Sequence, residues 1–542
     1  MPRIVNVVKR GLYRDSVQLL HISEKVRGFK GVLNALMVMG TRLNKEILAR
    51  EGLLTPEGEG AGENDLVIAL SIDDQAVLGE ILRRIDETLS NPPPQDLDVY
   101  SDLDHALDIN RDINLALVSV PGQYAREIVL KLLDRGLHVH LFSDHVPIEH
   151  EVELKRYAVE KGLLLMGPEA GTSIIGGAAI AFANSVRKGP IGIVSASGTG
   201  LQEVSVLLHR VGLGISHGIG VGGRDLSKEV GGIMTLFSIA VLERDIDTRV
   251  ITIISKPPSQ EVVRMVMDRI SSGEKDYITC FVGGDTADLG GLMKRVSQAR
   301  TLHAAVLEAV RRADPGLYSY AHKTLWIDGD LLTMLSNIAS ELREGQRYVR
   351  GLFTGGTLAS EAMLVLSQYL GAVYSNSPLR EDYRLPDPWR SVENTVVDLG
   401  GEEFTEGRPH PMIDPSIRVK MIIEEARDPE VGVIMLDFVL GYGAHPDPVG
   451  AHVEAIRKAM EIARSSGRRL AILAHVVGTD EDPQVASSQE DMLRRLGAIV
   501  LPTNAITALS AAMIASRRVD SYMLSDFHGK FIRGVCPDGR KC

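Results

Sequence analysis

The chain has 542 residues, of which 44% are hydrophobic and 24% charged, with a formal charge of −12 and three cysteines. That length exceeds a single hydrophobic core and sets an expectation of about three or four domains. The acidic balance argues against a nucleic-acid surface, three cysteines fall short of a disulfide framework, and no run of about 18 apolar residues marks a membrane span.

The opening residues MPRIVNVV are strand-like and lack the apolar core of a signal peptide, so a cytoplasmic location is expected. Residues 1–95 read as a small α/β domain, with strands at 4–8, 32–39 and 66–72. Its helices run from Asp15 or Ser16 to 26, over 43–50, and from a cap at Asp73 or Asp74 to 89, and a Gly- and Glu-rich loop fills 52–64. The run NPPP at 91–94 is a linker, because consecutive prolines favour extended backbone. Residues 100–186 alternate strands at 114–120, 139–142 and 163–166 with helices at 124–135 and 149–161, the signature of parallel strands joined by right-handed crossovers. Residues 188–345 repeat that logic, with strands at 191–195, 249–255 and 278–282. Residues 347–516 repeat it again, with strands at 349–353, 395–399, 433–438, 471–477 and 498–501 and helices opening near Thr357, Pro415, Val449 and Pro483. Residues 517–542 form a tail without clear periodicity. The expected fold class is multidomain α/β: parallel Rossmann- or flavodoxin-like sheets with helices on both faces, plus the small N-terminal domain.

Two segments share one design. Residues 191–200 (IGIVSASGTG) and 349–357 (VRGLFTGGT) each read as a strand, a Gly-rich corner and a helix start. Glycine lets backbone approach a ligand, Ser and Thr add hydroxyl donors, and the free N–H groups and dipole of a helix start favour an anion. Ser197, Gly198, Thr199 and Gly200 on one side, and Gly355, Gly356 and Thr357 on the other, are therefore expected to hold one anion, phosphate above all. The competing reading is a pair of structural βα turns. Arg224, after a Gly pair at a strand end, is a second anion grip or half of a loop ion pair, and Lys256 is a candidate pocket cation. In the run GRPHPMIDP at 407–415, prolines stiffen the backbone around His410; Asp414, before Pro415 and an apolar-periodic run, reads as a helix N-cap. Asp437, His445 and His475 lie near the same strand ends and read as structural residues. Cys280 sits in an apolar run as a buried thiol, and Cys536 and Cys542 in the polar tail fall short of a metal-ligand set, so no protein-held metal is expected.

The middle of the chain resembles the α subunit of succinyl-CoA synthetase and its NDP-forming acyl-CoA ligase relatives, through NLALVSVP at 114–121, MGPEAG at 166–171, GIVSASGT at 192–199 and GIGVGG at 218–223. Residues 347–516 resemble the carboxyl-terminal ligase domain of the β subunit, through GGT at 355–357 and VDLGG at 397–401. Over the full length the chain is similar to the FdrA family, a fused relative of these ligases, on SGTGLQE at 197–203, GGRDLS at 222–227, SKPP at 255–258, FTGGTL at 353–358 and GRPHPMIDP at 407–415. The resemblance makes 100–186 a partial CoA-binding-like domain and 188–345 and 347–516 two ligase-CoA domains. The chain departs from the ligases in three places: no Gly-x-x-Gly-x-x-Gly loop in 1–95, no histidine in FVGGDTADLG at 281–290 where they carry a phosphorylated one, and neither an ATP-grasp domain nor a P-loop. The family likeness implies a component of oxamate carbamoyltransferase in allantoin breakdown: phosphate attacks oxalurate to give oxamate and carbamoyl phosphate, with companion subunits and no cofactor. On that reading Arg408 grips the oxamate carboxylate with paired hydrogen bonds and His410 donates a proton or steadies the phosphate, against the plain alternative of a solvated Pro-rich loop. Glu203 matches the ligase glutamate that faces the phosphohistidine, or serves as a first-turn Glu favoured by the dipole. The alternatives are an NDP-forming acyl-CoA synthetase and a non-catalytic anion-binding scaffold. A homo-oligomer is compatible with all three.

Overall fold

A computed structural model describes residues 3–12, 14, 16–73, 78–90, 103–284 and 295–532. The linker at 91–94, Asp15, Asp74, residues 285–290, Cys536 and Cys542 lie outside the described residues. The chain divides into two compact units, Met1–Arg111 with Leu399–Ile417, and Asp112–Asp398 with Arg418–Cys542. Among the described residues no helix is long and apolar enough to cross a membrane.

In the first unit, β1 (Arg3–Lys9), β2 (Val32–Met39) and β3 (Leu66–Ile72) form an antiparallel sheet in the order β1-β3-β2. The central strand LVIALSI is buried along its whole length, because helices and loops cover both faces. One face packs Leu66, Ile68 and Leu70 on Leu19, Ile22, Ile81 and Ile85 of the helices Ser16–Arg27 and Leu78–Ser90. The other packs Val67 and Ala69 on Leu48, Leu53 and Ala61. Each such aliphatic side chain contributes roughly 1.5–3 kcal/mol on burial. The segment 399–417 belongs to this unit: Asn44 Nδ2 donates to both Met39 O and Gly407 O at 2.8 Å. Gly407 has φ +67°, and a Cβ there would stand 2.8 Å from Thr41 Oγ1, so glycine is required twice over.

Among the described residues the second unit holds three sheets. The first, β4 (Leu115–Val118), β5 (His138–Leu141) and β6 (Leu165–Met166), is parallel. Next in the chain come the hairpin β7 (Thr172–Ile175) and β8 (Ala178–Ala181), then β9 (Lys188–Ser195), β10 (Ile215–Gly220), β11 (Val250–Ser255), β12 (Asp276–Phe281) and β13 (Val296–Ala299), in one sheet ordered β13-β12-β11-β9-β10-β7-β8. The last sheet, β14 (Tyr348–Phe353), β15 (Thr395–Asp398), β16 (Val431–Val439), β17 (Ala471–Val477) and β18 (Ile499–Leu501), is parallel throughout and ordered β15-β14-β16-β17-β18. Counted from β9 and from β14, the five parallel strands of each sheet run 2-1-3-4-5, the flavodoxin-like order. Ligands in such sheets bind where the winding reverses, beyond the carboxyl end of strand 1. Both Gly-rich corners occupy that position.

Candidate active site

After β9, Ser197 caps the helix Gly198–Arg210: its Oγ accepts the Gly200 N–H at 2.9 Å. Ser195 Oγ steadies the corner by accepting the Ser197 N–H at 3.0 Å and donating to Ser197 O. After β14, the helix Gly356–Leu370 opens at Gly355, which brings no side-chain cap. Asp437, at the carboxyl end of β16, fixes this second corner by accepting from Thr354 N, Thr354 Oγ1 and Gly355 N at 2.8–3.0 Å. Arg418 Nη1 balances that buried carboxylate at 2.9 Å.

The two corners meet. Ser197 Oγ and Thr357 Oγ1 share a hydrogen bond at 2.6 Å across 160 residues of sequence. A Cβ on Gly355 would stand 2.9 Å from Thr199 Cγ2, and one on Gly200 would stand 2.8 Å from Ser197 Oγ, so glycine is what permits the approach. The N–H groups of Gly198 and Thr199 on one helix, and of Gly356, Thr357 and Leu358 on the other, find no acceptor among the described residues. Gly198 and Gly356 are half-exposed while Ser197, Thr199, Gly355 and Thr357 are buried, so the pair of helix starts has an open mouth over a polar floor. Lys256, following β11, and Asp398, ending β15, stand at that mouth: Lys256 Nζ is 3.8 Å from Asp398 Oδ2. This is a cluster of donors with one added cation, the arrangement that binds an oxyanion.

Beneath the mouth the two helices are cross-linked through their second turns. Glu203 stands six residues after Ser197, and Glu361 six after Gly355. Glu203 Oε1 accepts the N–H of Asn504, first residue of the helix Asn504–Ser516, at 3.3 Å. Glu361 Oε1 accepts the N–H of Leu302, first residue of the helix Leu302–Ala313, at 2.6 Å. The helix after strand 1 of each sheet thus supplies an acidic cap to the helix after strand 5 of the other, where the dipole favours negative charge. Asn504 Nδ2 donates to Glu361 Oε2 at 2.7 Å, and Glu203 Oε2 meets His475 Nε2 at 2.8 Å. Burial and the nearby Glu203 raise the Glu361 carboxyl to about 7. Burial opposes charge on His475, but the Glu203 carboxylate outweighs it and raises the imidazole.

Several expected site residues do other work. Glu203 is fully buried and capping, so it does not line the mouth. Arg224 is committed to Glu151 Oε2 at 3.0 Å and Val146 O at 2.8 Å, which makes it part of a buried ion network and not an anion grip. In that network Lys155 Nζ, fully buried, donates to Glu151 Oε1 and Asp225 Oδ1 at 2.7 Å and to Val221 O at 2.9 Å. Arg408, in the first unit, commits Nη2 to Asp414 Oδ2 and Ser416 Oγ at 2.8 and 3.0 Å, with a side chain 5% exposed and Nη1 buried without a hydrogen-bond partner among the described residues. A grip using both Nη atoms would have to break the Asp414 pair. His410 Nδ1 accepts the Met412 N–H at 3.3 Å, and burial lowers the ring to about 4. A ring held neutral at pH 7 is neither the proton donor nor the phosphate-steadying cation expected of it. Asp414 caps as expected, accepting the Ser416 N–H at 3.0 Å. His445 Nδ1 serves its own loop through the Asp447 N–H, and Cys280 is a buried thiol. Asp437, His475 and Lys256 were visible at strand ends. Asp398 lies inside the VDLGG run without any local mark, and the one sequence trace of Glu361 is that it follows Gly355 by the same six residues as Glu203 follows Ser197.

The first unit contains a cavity of about 470 Å³ lined by Arg42, Lys45, Glu46, Glu59 and Glu63. Its charges are mixed and no reactive constellation faces it, so the chemistry is placed at the corners.

Three family models match: "CoA-ligase" over residues 352–514, "CoA binding domain" over 186–282, and "AllF, heavy metal-associated domain" over 1–100. The last implies a metal that the donor set does not fit: residues 1–100 contain no cysteine and one histidine, and no group of three His, Cys, Asp or Glu able to hold an ion occurs among the described residues. Two 2-1-3-4-5 sheets with adjoining switch-point corners, under these models, define an FdrA-like protein of the NDP-forming acyl-CoA synthetase type. The Escherichia coli strain K12 protein YahF is 42% identical over 510 residues, 93% of this chain and 97% of its own. The chain belongs to that protein's family, the FdrA family. The α subunit of ADP-forming succinate–CoA ligase from Methanothermobacter thermautotrophicus is 28% identical over 130 residues, 23% of this chain and 44% of that subunit. The solved structure of ATP citrate lyase from Methanothrix soehngenii with citrate and coenzyme A matches at a TM-score of 0.33 and 13% identity, over 80% of this chain and 86% of that one.

Proposed function

We propose that this chain is a phosphate-binding component of a carbamoyltransferase that converts oxalurate and phosphate to oxamate and carbamoyl phosphate. The observation that carries the reading is the junction of two Gly-rich helix starts through Ser197 and Thr357. A phosphate cradle in a chain without a carrier histidine at 281–290 suits direct attack by phosphate. The match of residues 1–100 to an AllF domain points toward allantoin breakdown.

In this reading the five free N–H groups hold the phosphate oxygens, and Lys256 adds charge at the mouth. A phosphate oxygen bonds to the carbamoyl carbon, the C–N bond to the oxamate nitrogen breaks, and the proton of the hydrogen phosphate passes to that nitrogen. Fixed donors aimed at the developing negative charge supply the stabilisation. Companion subunits complete the enzyme and a small anionic acid is the second substrate. The test is a coupled assay of the full chain with its companions, supplied with oxamate and carbamoyl phosphate. Oxalurate formation supports the reading, and its absence under every composition rejects it.

A second reading, an NDP-forming acyl-CoA synthetase, is favoured by the CoA-ligase and CoA-binding matches. It requires CoA-dependent nucleotide phosphorylation and radiolabelled phosphate retained on denatured protein.

A further inference from the structure

The mouth of the proposed phosphate site carries a negative charge that phosphate alone does not call for. A Cβ placed on Gly356 would lie 2.4 Å from Asp398 Oδ2 and 3.2 Å from Lys256 Nζ, so both groups crowd the opening of the second helix. The Asp398 side chain is 9% exposed and that of Lys256 is 44% exposed. The Asp398 backbone is held on both sides by one amide side chain. Asn376 Oδ1 accepts its N–H and Asn376 Nδ2 donates to its carbonyl, each at 2.9 Å. A carboxylate beside an oxyanion raises the free energy of that anion unless the ligand turns a hydrogen-bond donor toward it. An acyl phosphate has no such donor. A carbamoyl phosphate has an amide NH₂ on the carbon joined to the phosphoryl oxygen.

We propose that Asp398 accepts a hydrogen bond from the amide nitrogen of a carbamoyl group while the two helix starts and Lys256 hold the attached phosphate, so that the site selects carbamoyl over acyl ligands. The assignment rests on the proposed phosphate site of the two corners and adds to it the residue that tells a carbamoyl from an acyl group. It also gives the Lys256–Asp398 pair a purpose, because the pair presents a donor and an acceptor side by side to a ligand that needs both. A site built to hydrogen-bond an N–H discriminates strongly against the analogue that lacks it, since the acceptor is then left facing a methyl group.

Two stable analogues differ in this feature alone: phosphonoacetamide carries NH₂ where acetonylphosphonate carries CH₃. Isothermal titration of the full chain with each, and with inorganic phosphate, tests the assignment, with a thermal melt to check that the variant is folded. We expect phosphonoacetamide to bind at least about tenfold tighter than acetonylphosphonate. Asp398→Asn is expected to bring the two within about threefold of each other and to tighten inorganic phosphate, because a like charge is removed. Equal affinity for the two analogues in the natural chain overturns the role of Asp398, as does an unchanged preference in the variant, in either case with phosphate still bound. Failure of all three ligands to bind the natural chain overturns the oxyanion reading itself.

Discussion

The Ser197 hydroxyl serves two helices with one atom, accepting from Gly200 N–H in its own helix and sharing a proton with Thr357 of the other. Ser197→Ala removes a cap and a cross-link together, and we expect a loss of about 1–2 kcal/mol in urea unfolding with weaker phosphate binding in the same sample. Three histidines set a pH dependence. Burial lowers His303 to about 3 and His140 and His410 to about 4. Their folded values lie below the ordinary 6.5, so they stabilise above that pH and lose the contribution as pH falls toward their folded values. Thermal stability is expected to decline steadily from about pH 6.5 to 4, and His303→Gln to flatten the slope. Glu361 acts with the opposite sign: its raised value makes ionisation a growing penalty between its ordinary 4.5 and about 7. At this scale the Gly, Ser and Thr of both corners, grouped from sequence because their chemistry is local, lie side by side through Ser197 and Thr357. Arg408 and His410 were harder to place, because a polar residue beside a proline looks the same whether it faces a ligand or its own loop. Only the hydrogen bonds to Asp414, Ser416 and Met412 distinguish the two.

The helix starts are the elements on which function depends. Gly356→Ala would place a methyl carbon 2.4 Å from Asp398 Oδ2. We expect about 1–3 kcal/mol of destabilisation and loss of phosphate binding, read by melting and calorimetry. The reciprocal caps predict coupling: Glu203→Gln and Glu361→Gln together should differ from the sum of the single changes by about 0.5–3 kcal/mol in a double-mutant cycle. Additive effects would show that the two carboxylates act independently. Periodicity located the long elements within a residue or two, such as β3 (Leu66–Ile72), β11 and β17. It missed β10, whose sequence ISHGIG carries two glycines and a histidine and lacks the alternation of a half-buried strand. It also missed the short hairpin β7–β8 and the four-residue β13, which owe their extension to sheet neighbours. The tail contains a helix, Ser521–Phe527, where no period was visible in so short a span.

For the whole chain, sequence order is a poor guide to which segments fold together. Residues 399–417 lie between two strands of the last sheet yet join the first unit, tied by Asn44 to Gly407. The three-stranded sheet of β4, β5 and β6 is joined to the larger one through Lys155 and Asp225. Lys155→Met leaves Asp225 buried without its cation and Glu151 with Arg224 alone, and a loss of about 3–5 kcal/mol is expected in chemical unfolding. The central claim is that two separate Gly-rich corners form one oxyanion pocket. The most direct measurement is an experimental structure of the full chain with phosphate bound. The anion is expected within hydrogen-bond reach of Gly198 or Thr199 N–H on one helix and of Gly356 or Thr357 N–H on the other. Phosphate held elsewhere, or by one corner alone, would contradict the claim.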